Sequence, residues 1–278
     1  MATDFYEMGW GESFHFAHTY INETHEESIA RHERRLADYL KVAAGQKVLD
    51  AGCGVGGPAR EIAQYTQAHV TGVTLNRYQV ERGRSHTKLH NLEHLVTHMQ
   101  ADFTKLPFED ASFDAAYAIE ATCHSPELSM VYGEIYRILK PGGIFATYEW
   151  IFAKDFDPSN PLHQQINHEI EYGNGLPPLR SIQDVYAAAA KVGFTITYEH
   201  DIAEDKDKTL PWYTKLDMGW FAHKLTHLTC VITEFFGFAP KGTVDIHAML
   251  LRAADGLVRG GQHNTFTPMW LVVMQKPL

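Results

Sequence analysis

Leu49-Asp-Ala-Gly-Cys-Gly-Val-Gly-Gly-Pro58 decides the fold of this 278-residue chain. The short apolar run Lys47–Asp50 in front of it reads as a strand, and Pro58–Tyr65 behind it as a helix. Glycine lets the backbone between them turn tightly and lets a ligand press against it. Gly52, Gly54 and Gly57 satisfy G-x-G-x-x-G, which taken alone is shared with dinucleotide-binding enzymes.

Working outward, strand and helix patterns alternate. A polar helical stretch over about Glu23–Ala43 comes first. After the glycine turn come a strand at His69–Leu75, a helix at Arg77–His90, and strands near Leu95–Gln100 and at Phe113–Ile119. A helix at Leu128–Leu139 stops at Lys140-Pro-Gly-Gly143, and Ile144–Trp150 is the next strand. Such alternation predicts a parallel sheet with right-handed crossovers and a ligand at the carboxyl ends of the strands. After Trp150 the pattern breaks. Asp155–Pro178 is rich in Pro, Asn and Asp, Ser181–Val192 reads as a helix and Phe194–His200 as a strand. Thr209–Ala239 is aromatic and mostly helical, Val244–Val258 a helix, and Thr265–Gln275 a closing strand. The organisation expected is one domain over 1–278: an amino-terminal aromatic and helical segment (1–45), a core (46–152), and cap insertions around 153–180 and 205–242.

Two positions decide which ligand meets the turn. A dinucleotide fold places an acid after the second strand, to hold a ribose hydroxyl. Here that strand ends Val73-Thr-Leu-Asn76, without one. An acid, Asp50, instead precedes the first glycine, as in the D/E-x-G-x-G-x-G turn of methyltransferases, where it faces a methionyl ammonium. Asp102 follows the third strand, placed to accept from the adenine amine with Phe103 flanking the ring. The cofactor expected is therefore S-adenosylmethionine. The candidate contacts are Asp50, Gly52, Cys53, Gly54, Asp102, Phe103, Ile119 and Glu120, with Thr74, Leu75 and Gln79 standing where the ribose acid is missing. The fold class expected is α/β, Rossmann-like, of the class I methyltransferase type: a mostly parallel seven-stranded sheet with helical cap insertions.

The formal net charge of -10 disfavours nucleic acid and broad electrostatic attachment to membranes. Three cysteines, Cys53, Cys123 and Cys230, read as small buried thiols of a cytoplasmic protein. No apolar run approaches a membrane span, the amino end has no signal-peptide pattern, and the 17 histidines show no zinc spacing, so no metal is expected.

Five segments carry a resemblance. They are Phe5-Tyr-Glu-Met-Gly-Trp-Gly-Glu-Ser-Phe-His-Phe16, the glycine turn, Tyr117-Ala-Ile-Glu-Ala-Thr-Cys-His124, Glu171-Tyr-Gly-Asn-Gly-Leu-Pro177, and Ala253-Ala-Asp-Gly-Leu-Val-Arg-Gly-Gly261 with Phe266-Thr-Pro-Met269. Together they resemble the sterol 24-C-methyltransferases over almost the whole chain. The chain is shorter at its amino end than eukaryotic members, an expectation of a compact bacterial form. The resemblance implies C-methylation of a side-chain alkene through a carbocation, a hydride shift and deprotonation. That chemistry needs a dry slot, electron-rich groups for the cation, and a base.

Tyr6, Trp10, Phe14 and Phe16 are candidates for the cation, against ordinary aromatic packing. Glu120 and His124, beyond the fourth strand, are candidates for the base, against cofactor anchoring and capping roles. Alternation sets Tyr148 and Trp150 on one face of their strand and Glu149 on the other. Glu169 and Glu171 are lid candidates or solvated helix positions. Trp212, Tyr213, Trp220, Phe221, Phe235 and Phe236 either wall the substrate, pack or form a subunit contact, or touch a bilayer. The partners expected are an apolar alkene, a sterol or alternatively a non-steroidal terpenoid, with no nucleic acid, peripheral membrane contact, and a homo-oligomer.

Overall fold

The computed structural model describes residues 2–217 and 220–278. Helix α1 (Ala2–Trp10) opens the chain, followed by a two-residue strand β1 (Thr19–Tyr20) and helix α2 (His25–Leu40). Helix α2 starts in a capping box, the Thr24 hydroxyl and Glu27 carboxylate each satisfying the other's backbone N–H. Its buried residues Ile29, His32, Glu33, Leu36, Ala37 and Leu40 recur at helical spacing, so one stripe faces the sheet.

The core then runs β2 (Lys47–Ala51), α3 (Gly57–Thr66), β3 (His69–Thr74), α4 (Arg77–Leu89), β4 (Val96–Gln100), β5 (Phe113–Ile119), α5 (Leu128–Ile138) and β6 (Leu139–Phe152). After it come α6 (Pro161–Asn174), α7 (Ile182–Val192), β7 (Thr195–Asp201), β8 (Thr209–Leu210), α8 (Trp220–Phe235), α9 (Thr243–Gln262) and β9 (Phe266–Gln275). Seven strands form one sheet in the order β4-β3-β2-β5-β6-β9-β7, and β1 pairs separately with β8. The pairs from β4 through β6 are parallel; β9 runs antiparallel to both β6 and β7. Central strand β5 is buried on both faces, as a parallel strand covered by helices must be.

One boundary differs from the sequence reading. Lys140-Pro-Gly-Gly143 does not separate helix from strand: β6 begins at Leu139 and pairs it with Phe113, and the register then shifts so that Ala115 meets Ile144. Proline and glycines here form an irregularity inside the strand, a role open to both at a sheet's periphery.

Two of the sequence segments pack on each other. A β-carbon on Gly173 of α6 would lie 2.6 Å from the Ala253 backbone of α9, and one on Gly256 would lie 3.0 Å from Glu169. The α6–α9 pair is thus held at a separation that only small residues permit. Arg259 clamps the same face by pairing with Glu169 at 2.7 Å, and Glu171 accepts from Leu179 N and Asn167 within its own chain turn. Gly173→Ala should therefore force the helices apart and lower stability by about 1–3 kcal/mol, read as a drop in the denaturant midpoint. An unchanged midpoint would show that the close approach is not needed. The side chains of Trp220 and Phe221, singled out in the sequence, lie outside the described residues.

Candidate active site at the carboxyl ends of the strands

The glycine turn joins β2 to α3 with Gly52, Gly54 and Gly56 at φ of 97°, 53° and 80°. A β-carbon on Gly52 would stand 2.3 Å from that of Ala121, and one on Gly57 would stand 2.2 Å from the Glu12 carbonyl oxygen. The turn is therefore pressed between the segment after β5 and the amino-terminal segment. The N–H groups of Gly52 and Cys53 both donate to Val73 O at 3.0 Å, tying the turn to β3.

Asp50 ends β2 and is fully buried. Burial pushes its carboxyl up to about 7, and the neighbouring Tyr117 hydroxyl draws it part of the way back. That approach is a loose hydrogen bond: the phenol lowers the carboxyl's pKa, while neither Asp50 Oδ2 nor Tyr117 Oη reaches a partner at strict hydrogen-bond geometry. An orphaned, buried carboxylate oxygen beside a cradle that any β-carbon would fill fits a ligand carrying a positive group.

The other cofactor candidates are placed as follows. Cys53 leaves only its backbone open to a ligand, because its thiol turns inward towards His98 Nδ1 at 4.0 Å. At the end of β3, Thr74 Oγ1 donates to Gln79 Oε1 at 2.8 Å, with Leu75 exposed alongside. Asp102 accepts from Thr104 N and Oγ1 at 2.8 and 2.7 Å through one oxygen. Phe103 reaches to 3.7 Å from where a Gly52 β-carbon would stand. Ile119 is buried at the end of β5.

The amino-terminal segment lies across this end of the sheet. Glu7 of α1 pairs with Arg82 and His86 of α4 at 2.8 and 2.7 Å, and Tyr78 donates to Asp4 at 2.6 Å. Beyond the helix, the Phe14 ring approaches within 3.5 Å of the Gly54 β-carbon position, and Tyr6 packs on Phe14 with centroids 5.5 Å apart. Trp10 meets Phe16 edge-on at 5.0 Å and carries the Lys215 ammonium over its other side at 4.9 Å.

Glu120 is where these pieces converge. It follows β5 with φ of 52°, a left-handed conformation uncommon for a non-glycine residue and concentrated at functional sites. Its Oε1 accepts from Phe16 N at 2.7 Å and its Oε2 from Trp150 Nε1 at 2.8 Å. Burial pushes the carboxyl up to about 7; the His15 ring, then the Trp150 and Phe16 donors, hold it from rising further. Around this carboxylate, Phe16 packs on Trp212 at 4.8 Å and Trp150 at 6.2 Å, while Phe266 meets Trp150 at 5.2 Å and Trp212 at 5.9 Å. Gly261 makes room for Trp212 and Tyr213, whose rings come within 3.0 and 2.1 Å of where its β-carbon would be.

His124 closes the short turn after Glu120. Solvent reaches it, yet enough protein crowds round the ring to lower its pKa by desolvation. On β6, Tyr148 and Trp150 share a face as alternation requires: Tyr148 stacks on His32 at 3.9 Å and Trp150 meets Glu120. Glu149 points the other way, buried among donors from Tyr132, Thr147 and Thr122. Phe266, the main-chain N–H of Phe16 and the buried pair His15–Glu33 at 2.9 Å were absent from the sequence reading. Only proximity in three dimensions reveals them, although Phe266 stood in a segment already singled out. A cavity of about 550 Å3 lined by Trp10, Glu12, His25, Arg60 and Lys215, among others, opens beside α2 and α3. Asp50, Gly52, Gly54 and Glu120 do not line it, so its size does not locate the chemistry.

Residues 49–147 match the methyltransferase domain family, and residues 213–278 match the sterol methyltransferase C-terminal family. Cycloartenol-C-24-methyltransferase 1 of Oryza sativa subsp. japonica is 47% identical over 288 residues, covering 100% of this chain and 83% of that protein. The chain belongs to the sterol C-methyltransferase family. Another relative, 24-methylenesterol C-methyltransferase 3 of Arabidopsis thaliana, is 45% identical over 277 residues, covering 100% of this chain and 77% of the relative. In fold, this sterol C-methyltransferase family member is similar to geranyl diphosphate C-methyltransferase from Streptomyces coelicolor, solved with S-adenosyl-L-homocysteine. There the TM-score is 0.73 at 17% identity, over 99% of this chain and 92% of that one. The protein is an S-adenosylmethionine-dependent methyltransferase with the Rossmann-like class I fold.

Proposed function

We propose that this methyltransferase adds a methyl group to a side-chain alkene of a sterol, and that Glu120 and the rings around it carry the reaction. One observation supports this most: a buried carboxylate whose pKa is pushed up to about 7, held by Phe16 N and Trp150 Nε1 at the edge of the Phe16–Trp150–Trp212–Phe266 ring cluster and beside the glycine turn.

Bound S-adenosylmethionine supplies an electrophilic methyl group on a sulfonium centre. In the proposed binding mode, Asp50 faces the methionyl ammonium, and Gly52, Cys53 and Gly54 offer backbone without side-chain obstruction. Thr74, Leu75 and Gln79 lie along the ribose edge, Asp102 accepts from the adenine amine with Phe103 against its ring, and Ile119 packs from β5. The alkene's π pair forms the new carbon–carbon bond, and the sulfur keeps the electrons of the bond that breaks. A tertiary carbocation is left on the substrate, a hydride shift moves it, and loss of a proton restores a double bond.

In this reading Tyr6, Trp10 and Phe16 stabilise that cation, each such contact being worth about 0.5–2 kcal/mol when water is excluded. Glu120 takes the proton, since a base works best with its pKa near the working pH. His124, neutral at pH 7 because desolvation lowers its pKa, is the second proton acceptor in this reading. A sterol partitions into membranes, so peripheral membrane contact from a cytoplasmic location belongs to the same proposal, as does a homo-oligomer.

An assay with labelled S-adenosylmethionine and a panel of Δ24 sterols and linear prenyl alkenes tests the substrate. Turnover on the sterols is expected. Turnover confined to linear terpenoids would replace the sterol by a non-steroidal alkene.

A further inference from the structure

Helix α8 carries an apolar face that none of the described residues covers. Leu225, Leu228, Val231, Ile232 and Phe235 are exposed along it. The turn at its end adds Phe236 and Phe238; Phe235, Phe236 and Phe238 are 83%, 65% and 84% exposed. His227, Cys230 and Glu234 recur on the opposite side, where α8 packs against α9. Exposed apolar residues scattered singly are ordinary, whereas a contiguous aromatic patch of this kind marks an interaction site.

The polar groups nearby are arranged for a partner without water. Residues 225–240 contain one carboxylate, Glu234. It is turned inward and accepts from Gly242 N and Val244 N at 3.0 and 2.8 Å, capping the start of α9. The exposed Thr229 folds its hydroxyl back to Leu225 O at 2.9 Å, and Thr233 does the same to Thr229 O at 2.8 Å. Hydroxyls satisfied within their own helix tolerate an apolar medium, because no donor is left to be desolvated. In the sequence, Lys224 and Lys241 bracket the stretch, in a chain whose net charge is -10. An uncharged aromatic face with cations at its margins complements a lipid surface, where rings sit at the headgroup boundary and lysines reach the phosphates. Among the described residues no helix is long and apolar enough to cross a membrane.

From this we infer that the α8 face, with Phe235, Phe236 and Phe238 at its tip, is an interfacial docking surface that inserts into the headgroup boundary of a lipid bilayer. Helix α8 rests on α9, and α9 supplies Gly261, against which Trp212 and Tyr213 are seated. A bilayer held by α8 is therefore one helix away from the ring cluster of Trp212, Phe16, Trp150 and Phe266. The purpose of such contact rests on the proposed lipid substrate; the binding itself is measured without any sterol.

The test is flotation of the full chain with sterol-free vesicles of phosphatidylcholine and phosphatidylserine. Wild type is expected to float. A variant carrying Phe235→Ser, Phe236→Ser and Phe238→Ser is expected to partition at least about tenfold less, with unchanged affinity for S-adenosylmethionine as the sign of an intact fold. Flotation of the variant equal to wild type, or failure of wild type to float, would overturn the inference. So would loss of an oligomer in sedimentation velocity with flotation unchanged, which would assign the face to a second copy of the chain.

Discussion

Asp50→Asn is expected to stabilise the cofactor-free protein at pH 8 and to weaken S-adenosylmethionine binding by at least about tenfold. The first effect follows from linkage. Burial raises the folded-state pKa from the ordinary 3.8 to about 7, so folding favours the protonated form. The stability this group contributes is complete below its unfolded pKa and is lost as pH rises through about 7. At pH 8 the cofactor-free protein holds a buried anion with one oxygen unpartnered, and the amide removes that charge without changing the shape. The melting temperature should then rise by a few degrees at pH 8 and change little at pH 4. The second effect is the lost counter-charge to an ammonium, since a hydrogen bond to a charged group is worth about 1.5–3 kcal/mol. Thermal unfolding at both pH values and titration calorimetry read the two separately. Equal melting shifts at pH 4 and pH 8, or unchanged cofactor affinity, would refute the assignment.

Glu120→Gln should lower turnover by roughly 10²- to 10⁴-fold while leaving cofactor affinity within about threefold. Glutamine retains an acceptor for Phe16 N but turns an amide N–H towards the Trp150 indole N–H, so the variant loses the base and one of two contacts. The pH dependence separates these losses. Wild-type turnover should rise with pH through about 7, as the carboxyl becomes a base, and the variant should lack that limb. Trp150→Phe keeps the carboxylate and removes a donor that lowers its pKa, so the limb should move to higher pH. A limb that survives in Glu120→Gln would move the base to another group.

The fold was legible because its signals are local. The glycine turn and apolar runs such as Phe113–Ile119 fix their elements within a few neighbours, and those bounds agree with the structure to within a few residues. Lys140-Pro-Gly-Gly143 misled because Pro and Gly punctuate elements and also make irregularities within them; pairing with Phe113 decides between the two. The site was legible as a set of segments but not as a set of contacts. Nothing in Phe16 announces that its main-chain N–H meets a carboxylate 104 residues away. Equally, Thr74 and Gln79 stand in the sequence as substitutes for a missing ribose acid, and the structure bonds them to each other. Gly261 stands in the sequence only as the end of a resembling segment; the rings of Trp212 and Tyr213, which fill the space its missing side chain leaves, give it a structural reason.

Strand β9 follows every other strand in the sequence, yet it lies between β6 and β7. During synthesis, β7 leaves the ribosome with no neighbour to pair with, and β6 presents an open edge until residues 266–275 arrive. For that interval the nascent chain carries the kind of unpaired edge through which strands of different molecules join. The same late strand brings in Phe266, one member of the ring cluster beside Glu120. Closing the sheet and completing that cluster are therefore one event, and a ribosome-stalled chain that stops short of residue 266 would have a glycine turn but no finished ring cluster beside it.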